Sequence, residues 1–120
     1  MLTDFETFRK SLIDSGYKFF RDKAPSETAY PYLVYSYFAE NQKWASNTFI
    51  ATKALYQVSL FTDGTEKDLK PLKNSFKLNG VHFNGFSSIQ GDENDDTITN
   101  FYTEVSVYGL SLIHISEPTR

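Results

Sequence analysis

The chain contains no cysteine, and this absence excludes several classes of protein. A disulfide scaffold, a thiol nucleophile and a cysteine-ligated metal centre all require that residue. No apolar run approaches the roughly 18 residues that a membrane-spanning helix needs. The formal charge is only −3, from 12 basic and 15 acidic residues, which argues against a dedicated nucleic-acid binder.

Aromatic residues, by contrast, are abundant. The chain carries 11 Phe and 8 Tyr among 120 residues, ample material for the core of one compact domain. The N-terminal stretch MLTDFETFRK is amphipathic and acidic, so we expect no secretory signal there.

The last eleven residues, LSLIHISEPTR, resemble the in-frame translation of a transposase-type sequencing adapter. We therefore expect a single natural domain over residues 1–109 and a non-native artefact over residues 110–120, which is excluded from reasoning about the fold. The alternative is a genuine C-terminal tail.

Hydrophobic periodicity predicts two helices. The first spans about residues 4–15 and begins with a capping box formed by Thr3 and Glu6. The second starts near residue 67, because Pro71 is tolerated only in the first turn, and ends at Asn79-Gly80.

Alternating and β-branched segments predict five strands, and the polar stretch 39–48 predicts a long hairpin loop. The element order is therefore α-β-β-β-α-β-β. This order predicts an α+β fold, with an antiparallel sheet of four to five strands and two helices packed on one face. The predicted strands are 17–21, 32–38, 49–62, 81–86 and 97–108.

The acidic turn 90–96 is the most tempting site for chemistry. Asp92-x-Asn94-x-Asp96 matches the first ligands of a calcium loop, but Thr97 and Thr103 stand where that loop needs glycine and glutamate. We expect a solvated turn, and the alternatives are an acidic contact surface or a metal site.

His82 is not accompanied by any local signature of a nucleophile and an orienting group. We therefore expect His82 to be a solvent-facing residue of a strand. The chain is expected not to be an enzyme and to need no cofactor.

Two further features are candidates for binding. Lys70, Lys73 and Lys77 line up on one face of the second helix. They form either a solvated face whose stems cover the apolar stripe, or a cationic rim that faces an acidic neighbour or a DNA channel. Trp44 in the polar loop either folds back onto the domain or anchors a partner.

The order of these motifs resembles a known family. The motifs are Tyr30-Pro-Tyr-Leu-Val-Tyr35, Ala45-Ser-Asn-Thr48, Tyr56-Gln-Val-Ser-Leu-Phe-Thr62, Glu66-Lys-Asp-Leu69 and Phe101-Tyr-Thr-Glu-Val105. Over roughly residues 3–108 they are similar to the small tail-terminator proteins, also described as tail-completion or minor structural proteins, of long-tailed phages and prophages of Gram-positive bacteria.

The resemblance implies a small α+β domain with no active site. It implies a ring, usually a hexamer, that ends growth of the tail tube at its head-proximal end and joins the tail to the head connector. The implied partners are further copies of the chain, the major tail tube protein and a head-completion or connector protein, with DNA passing through the ring without specific binding and no membrane. Assembly would occur in the cytoplasm of the bacterial host, and the protein would reside in the virion tail.

The resemblance places the loop 39–50 and the turn 90–96 among the contact regions. A head-completion or neck protein and a small host-encoded α+β protein-binding module are the alternatives. The candidate interface residues are Trp44, Asn47, Lys70, Lys73, Lys77, Asp92 and Asp95.

The C-terminal artefact is checked by sequencing the parent gene from an uncontaminated source. We expect the natural reading frame to depart from the adapter-like string near residue 109. The string LSLIHISEPTR in that gene would contradict the interpretation.

Overall fold

The computed structural model describes residues 4–45, 48–91 and 97–108, and these contain two α-helices and five strands. The helices are α1 (Phe5–Asp14) and α2 (Lys70–Leu78), and a 3-10 turn, Glu66–Leu69, leads into α2. The strands are β1 (Lys18–Arg21), β2 (Tyr32–Ala45), β3 (Thr48–Thr62), β4 (Ser87–Gln90) and β5 (Thr99–Tyr108). Within these ranges no helix is long and apolar enough to cross a membrane.

Helix α1 begins one residue later than the predicted capping box requires. Asp4 is the N-cap, and its carboxylate accepts a hydrogen bond from the backbone N–H of Thr7 at 2.9 Å. An aspartate in that position satisfies a backbone donor that the first helical turn leaves free. The span of the helix is thus confirmed, while Thr3 as its cap is wrong.

The sheet has the strand order β1-β2-β3-β5-β4. β2, β3, β5 and β4 pair antiparallel, and β1 pairs with β2 in parallel, so the sheet is mixed. The predicted α+β class, the element order and the number of strands are confirmed.

The core lies between the two helices and one face of the sheet. Strand residues that alternate along β3, namely Tyr56, Val58 and Leu60, are buried together with Phe8 of α1 and Phe76 of α2. Period-two alternation therefore identified the correct buried face of this strand. The other buried apolar residues of the cluster are Leu12, Leu33, Tyr35, Leu69, Leu72, Val81, Val105 and Val107.

Side-chain hydrogen bonds fix the turn between β3 and α2. The hydroxyl of Thr62 donates to the Asp68 carboxylate at 2.6 Å, and the N–H of Gly64 donates to the Thr62 hydroxyl oxygen at 3.0 Å. The phenol of Tyr17 donates to the Asp68 carbonyl at 2.5 Å. Since Asp68 and Gly64 approach each other closely, a Cβ atom on Gly64 would collide with the Asp68 carboxylate.

The segment after α2 differs from the prediction. A strand was expected over residues 81–86, but the regular strand here is β4, further along the chain. Phe83 forms only an isolated bridge with Val105, and its ring packs against Phe76 and Phe86 at centroid distances of 5.1 and 5.6 Å. Phe83 and Phe86 of this segment therefore pack against the core and do not form a regular series of strand pairs.

The predicted loop 39–48 is also wrong. β2 continues to Ala45 and β3 starts at Thr48, so most of this stretch is paired strand. The stretch is polar because side chains such as Glu40 and Gln42 are exposed to solvent on a strand, and not because it forms a loop.

The two helices are joined at their C-terminal ends by polar contacts. The Asp14 carboxylate accepts from the Lys10 ammonium at 2.9 Å and from the Asn79 amide at 3.0 Å. The Asn79 amide also donates to the Ser75 carbonyl. The bond from Asn79, followed by that from Lys10, lowers the pKa of Asp14 below its ordinary value of 3.8.

Replacing Gly64 with alanine should destabilise the protein. The added methyl group displaces the Asp68 carboxylate and breaks its bond to Thr62, at a cost of about 1–3 kcal/mol in the free energy of unfolding. Urea denaturation measures this change. Gly85→Ala is the matched control, since no atom lies within 4 Å of its added Cβ. An equal loss of stability in both variants would contradict the account.

The contact between Asp14 and Asn79 should make stability depend on acidic pH. Because the folded pKa of Asp14 is lowered, its contribution is complete above the unfolded pKa and is lost as the pH falls through the folded pKa. The stability difference between the parent chain and Asn79→Ala should shrink from about pH 5 to about pH 3 in thermal denaturation. Asn74→Ala, at an exposed position of α2, is the control, and a constant difference for Asn79→Ala would refute the contact.

Candidate interaction surface

In the described part of the chain, the sheet narrows from five strands at one end to two at the other. β1 pairs with β2 only over residues 32–35, and β4 pairs with β5 only over residues 99–102. The described part of β5 ends at Tyr108, which pairs with Lys53. Beyond that row, β2 and β3 pair only with each other among the described residues. We call residues 42–45 and 48–52 the arm, which extends about 14 Å past the three-stranded part at the usual rise per residue.

The arm has two strand edges with no neighbouring strand in the described part of the chain. The outer edge of β2 is open beyond residue 35, and that of β3 is open over residues 48–52. A β-bulge lies at Phe38, the extra residue between the pairs of Tyr37 and Ala39. Because bulges interrupt pairing, the regular open edge of β2 runs from residue 39 to residue 45.

A chain of polar side chains runs along one face of β2 into the arm. The Tyr37 phenol donates to the Glu40 carboxylate at 3.3 Å, and the Gln42 amide donates to the same carboxylate at 3.4 Å. The Thr52 hydroxyl donates to the Gln42 carbonyl oxygen at 3.0 Å. Partial burial, followed by the nearby Glu40 carboxylate, raises the pKa of Tyr37 above its ordinary value of 10.0, and a phenol is protonated at neutral pH even at that ordinary value.

Exposed aromatic side chains accompany this polar chain. Tyr37, Phe38 and Trp44 are 46, 47 and 59% exposed, and all three belong to β2. The Tyr37 ring packs edge-on against buried Tyr56 at a centroid distance of 5.8 Å, so the exposed group continues directly from the core. Large aromatic residues on a supported strand are typical of protein contact sites.

The structure places Trp44 on a strand, not in the predicted loop. More than half of its side chain is exposed, so its ring is not part of the hydrophobic core. Asn47, Asp92 and Asp95, the other candidates from the two predicted contact regions, lie outside the described residues.

The three candidate lysines share α2, as predicted, and are not on the same element as Trp44. The ammonium of Lys73 lies 5.9 Å from the centroid of the Phe86 ring, so this stem covers an apolar side chain. Lys70 and Lys77 are exposed. The covering role that was one of the two alternatives therefore fits Lys73.

His82 is exposed, as predicted, but it does not lie on a strand. Within residues 4–45, 48–91 and 97–108, no group of three or more His, Cys, Asp or Glu side chains could hold a metal ion. The calcium-like spacing Asp92-x-Asn94-x-Asp96 falls outside these ranges.

The sequence alone did not reveal the open edges of the arm. The strand predicted over residues 49–62 is twice as long as the one predicted over residues 32–38, and this difference is the signal that could have indicated that the earlier strand continues.

Comparisons with known proteins complete the description of the site. No protein-family model matches the chain, and no curated protein sequence matches it.

Proposed function

We propose that this chain is a structural assembly protein of a long-tailed phage. It forms a ring at the head-proximal end of the tail tube, ends tube growth and joins the tail to the head connector. The phage family in this proposal is suggested by the resemblance in motif order, which begins at Tyr30-Pro31 and ends at Phe101–Val105. The observation that carries it is the arm, which offers open strand edges beside exposed Tyr37, Phe38 and Trp44.

An arm of this kind suits a subunit of a ring. Contacts in a ring are heterologous, so one patch of each subunit meets a different patch of the next. Open strand edges and exposed aromatic residues supply such patches. A small domain with helices on only one face of its sheet also leaves room for contacts with a tube on one side and a connector on the other.

The proposed partners are further copies of the chain in a ring, in the family usually a hexamer, the major tail tube protein and a head-completion or connector protein. In this proposal the ring assembles in the host cytoplasm, resides in the virion tail and lets DNA pass without specific binding. Exposed Lys70 and Lys77 are the cations that such a ring would turn toward an acidic neighbour or the DNA.

Electron microscopy of the purified chain, with and without headless tail tubes, tests the proposal. We expect rings that cap one end of each tube. Association only with filled heads would assign the chain to the neck instead, and association with neither would leave the host binding module. The chain ending at Gly109 should behave like the full chain.

A pair of variants links the result to the arm. Trp44→Ala removes an exposed aromatic residue of the arm, and we expect it to weaken tube capping at least about tenfold, as for an interface anchor. Leu78→Ala is the matched control, because Leu78 is exposed at the end of α2 and outside the arm. Equal capping by both variants would count against the arm as the contact.

A further inference from the structure

We propose that copies of this chain join head to tail through the arm: the open edge of β3 in one copy pairs antiparallel with the open edge of β2 in the next copy. This inference rests on the proposed function, and it names the contact by which the subunits of the ring hold one another.

The first observation is that the two strands of the arm have no third strand beside them in the described part of the chain. Among the described residues, 42–45 pair only with 48–52. Gln42 and Trp44, the two residues of β2 in the arm whose burial is described, are both exposed. An isolated two-stranded ribbon is at best marginally stable in water, and a third strand stabilises it.

The second observation is the direction of the backbone groups. The carbonyl of Tyr35 accepts a hydrogen bond from Asp22, on the side of β2 away from β3. Its pairing partner Val58 therefore directs its own N–H and C=O toward β5. The direction of the backbone N–H and C=O groups alternates from one residue to the next along β3, whose register with β5 has no shift. Thr52 is six residues from Val58, so its N–H and C=O point the same way, and it lies beyond the described end of β5.

The same alternation orients the opposite edge of the arm. Gln42 is the pairing partner of Thr52, so its N–H and C=O point outward from β2. Glu40, the partner of Ala54, points outward as well. Each edge of the arm therefore presents backbone donors and acceptors that no described strand uses.

The occupant that satisfies both edges is a second copy of the chain. β2 and β3 run in opposite directions, so identical arms placed side by side in one orientation bring β3 of one copy against β2 of the next in antiparallel pairing. The two open segments, 39–45 and 48–52, are seven and five residues long, and β3 has one extra residue, Ile50, between the partners of Lys43 and Trp44. Each copy uses one edge on either side, and closure of the ring removes both free edges.

Trp44 provides a direct readout of this contact. It is the only tryptophan of the chain, it lies on the arm, and it is 59% exposed. Strand addition next to it should shift its fluorescence emission to shorter wavelength as the protein concentration rises.

Proline variants at the outward-pointing positions test the proposal on the full chain. Gln42→Pro blocks only the edge of β2, and Thr52→Pro blocks only the edge of β3, because neither position contributes its N–H to the ladder between these strands. By native mass spectrometry and Trp44 emission, each variant alone should associate at least about tenfold more weakly than the parent chain, equivalent to one or two backbone hydrogen bonds.

A mixture of the two variants gives the decisive result. Gln42→Pro retains an open β3 edge and Thr52→Pro retains an open β2 edge, so the mixture should form one-to-one dimers and nothing larger. Gln42→Ala and Thr52→Ala are the controls, since they remove the same side-chain hydrogen bond but keep the backbone N–H, and they should associate like the parent chain. Circular dichroism verifies that all four variants are folded.

Three outcomes would overturn the proposal. Gln42→Pro could associate as well as Gln42→Ala, which would show that the edge is not used. Thr52→Pro could dimerise alone while Gln42→Pro does not, which would indicate symmetric pairing of two β2 edges. The parent chain could remain monomeric at every concentration, and if it still capped tail tubes, the proposed function would stand while this contact would be wrong.

Discussion

The pairing between β2 and β3 is the interaction on which the rest of the structure depends. At the wide end of the sheet these two strands lie between their neighbours and carry Leu33, Tyr35 and Val58 into the core beneath the helices. At the narrow end the same strands leave the domain and form the arm. One hairpin therefore forms both the centre of the folded domain and the part of the described sheet that extends past the other strands.

This double role couples stability to surface geometry. The register of the hairpin is fixed where residues such as Leu33 and Leu60 are fully buried, because a slip of one residue would turn their side chains toward solvent. The ladder continues outward through a register shift between Tyr37 and Ala39, so the face that Glu40 presents follows from its partner Ala54, whose place along β3 is set by the buried part of that strand. The core thus specifies the contact surface that we propose for assembly.

The sequence predicted the fold best where burial is one-sided. Alternation at Tyr56, Val58 and Leu60 identified the face of β3 that packs on the helices, and the apolar spacing of Phe8 and Leu12 identified α1. It failed in the arm, because the polar composition indicated a loop where exposed polar residues such as Gln42 lie on a strand. It failed again at Phe83, whose apolar neighbours fill the core without forming a strand. For the candidate site, the sequence selected Trp44 but not the open edges beside it, since an edge depends on where other strands end.

The bulge at Phe38 keeps the side chains that follow it on the same faces as their partners in β3. Tyr37 lies on the helix side of the sheet beside Tyr56, and Glu40, three positions later, still reaches the Tyr37 phenol. In an uninterrupted strand, residues three apart point to opposite faces. The single extra residue is therefore absorbed by the bulge, and Glu40 lies on the same face as Tyr37 because its partner Ala54 lies on the same face as Tyr56. A chain that lacked Phe38 would have the same pairs on both sides of the deletion, so the surface of the arm tolerates a change of length at this one position.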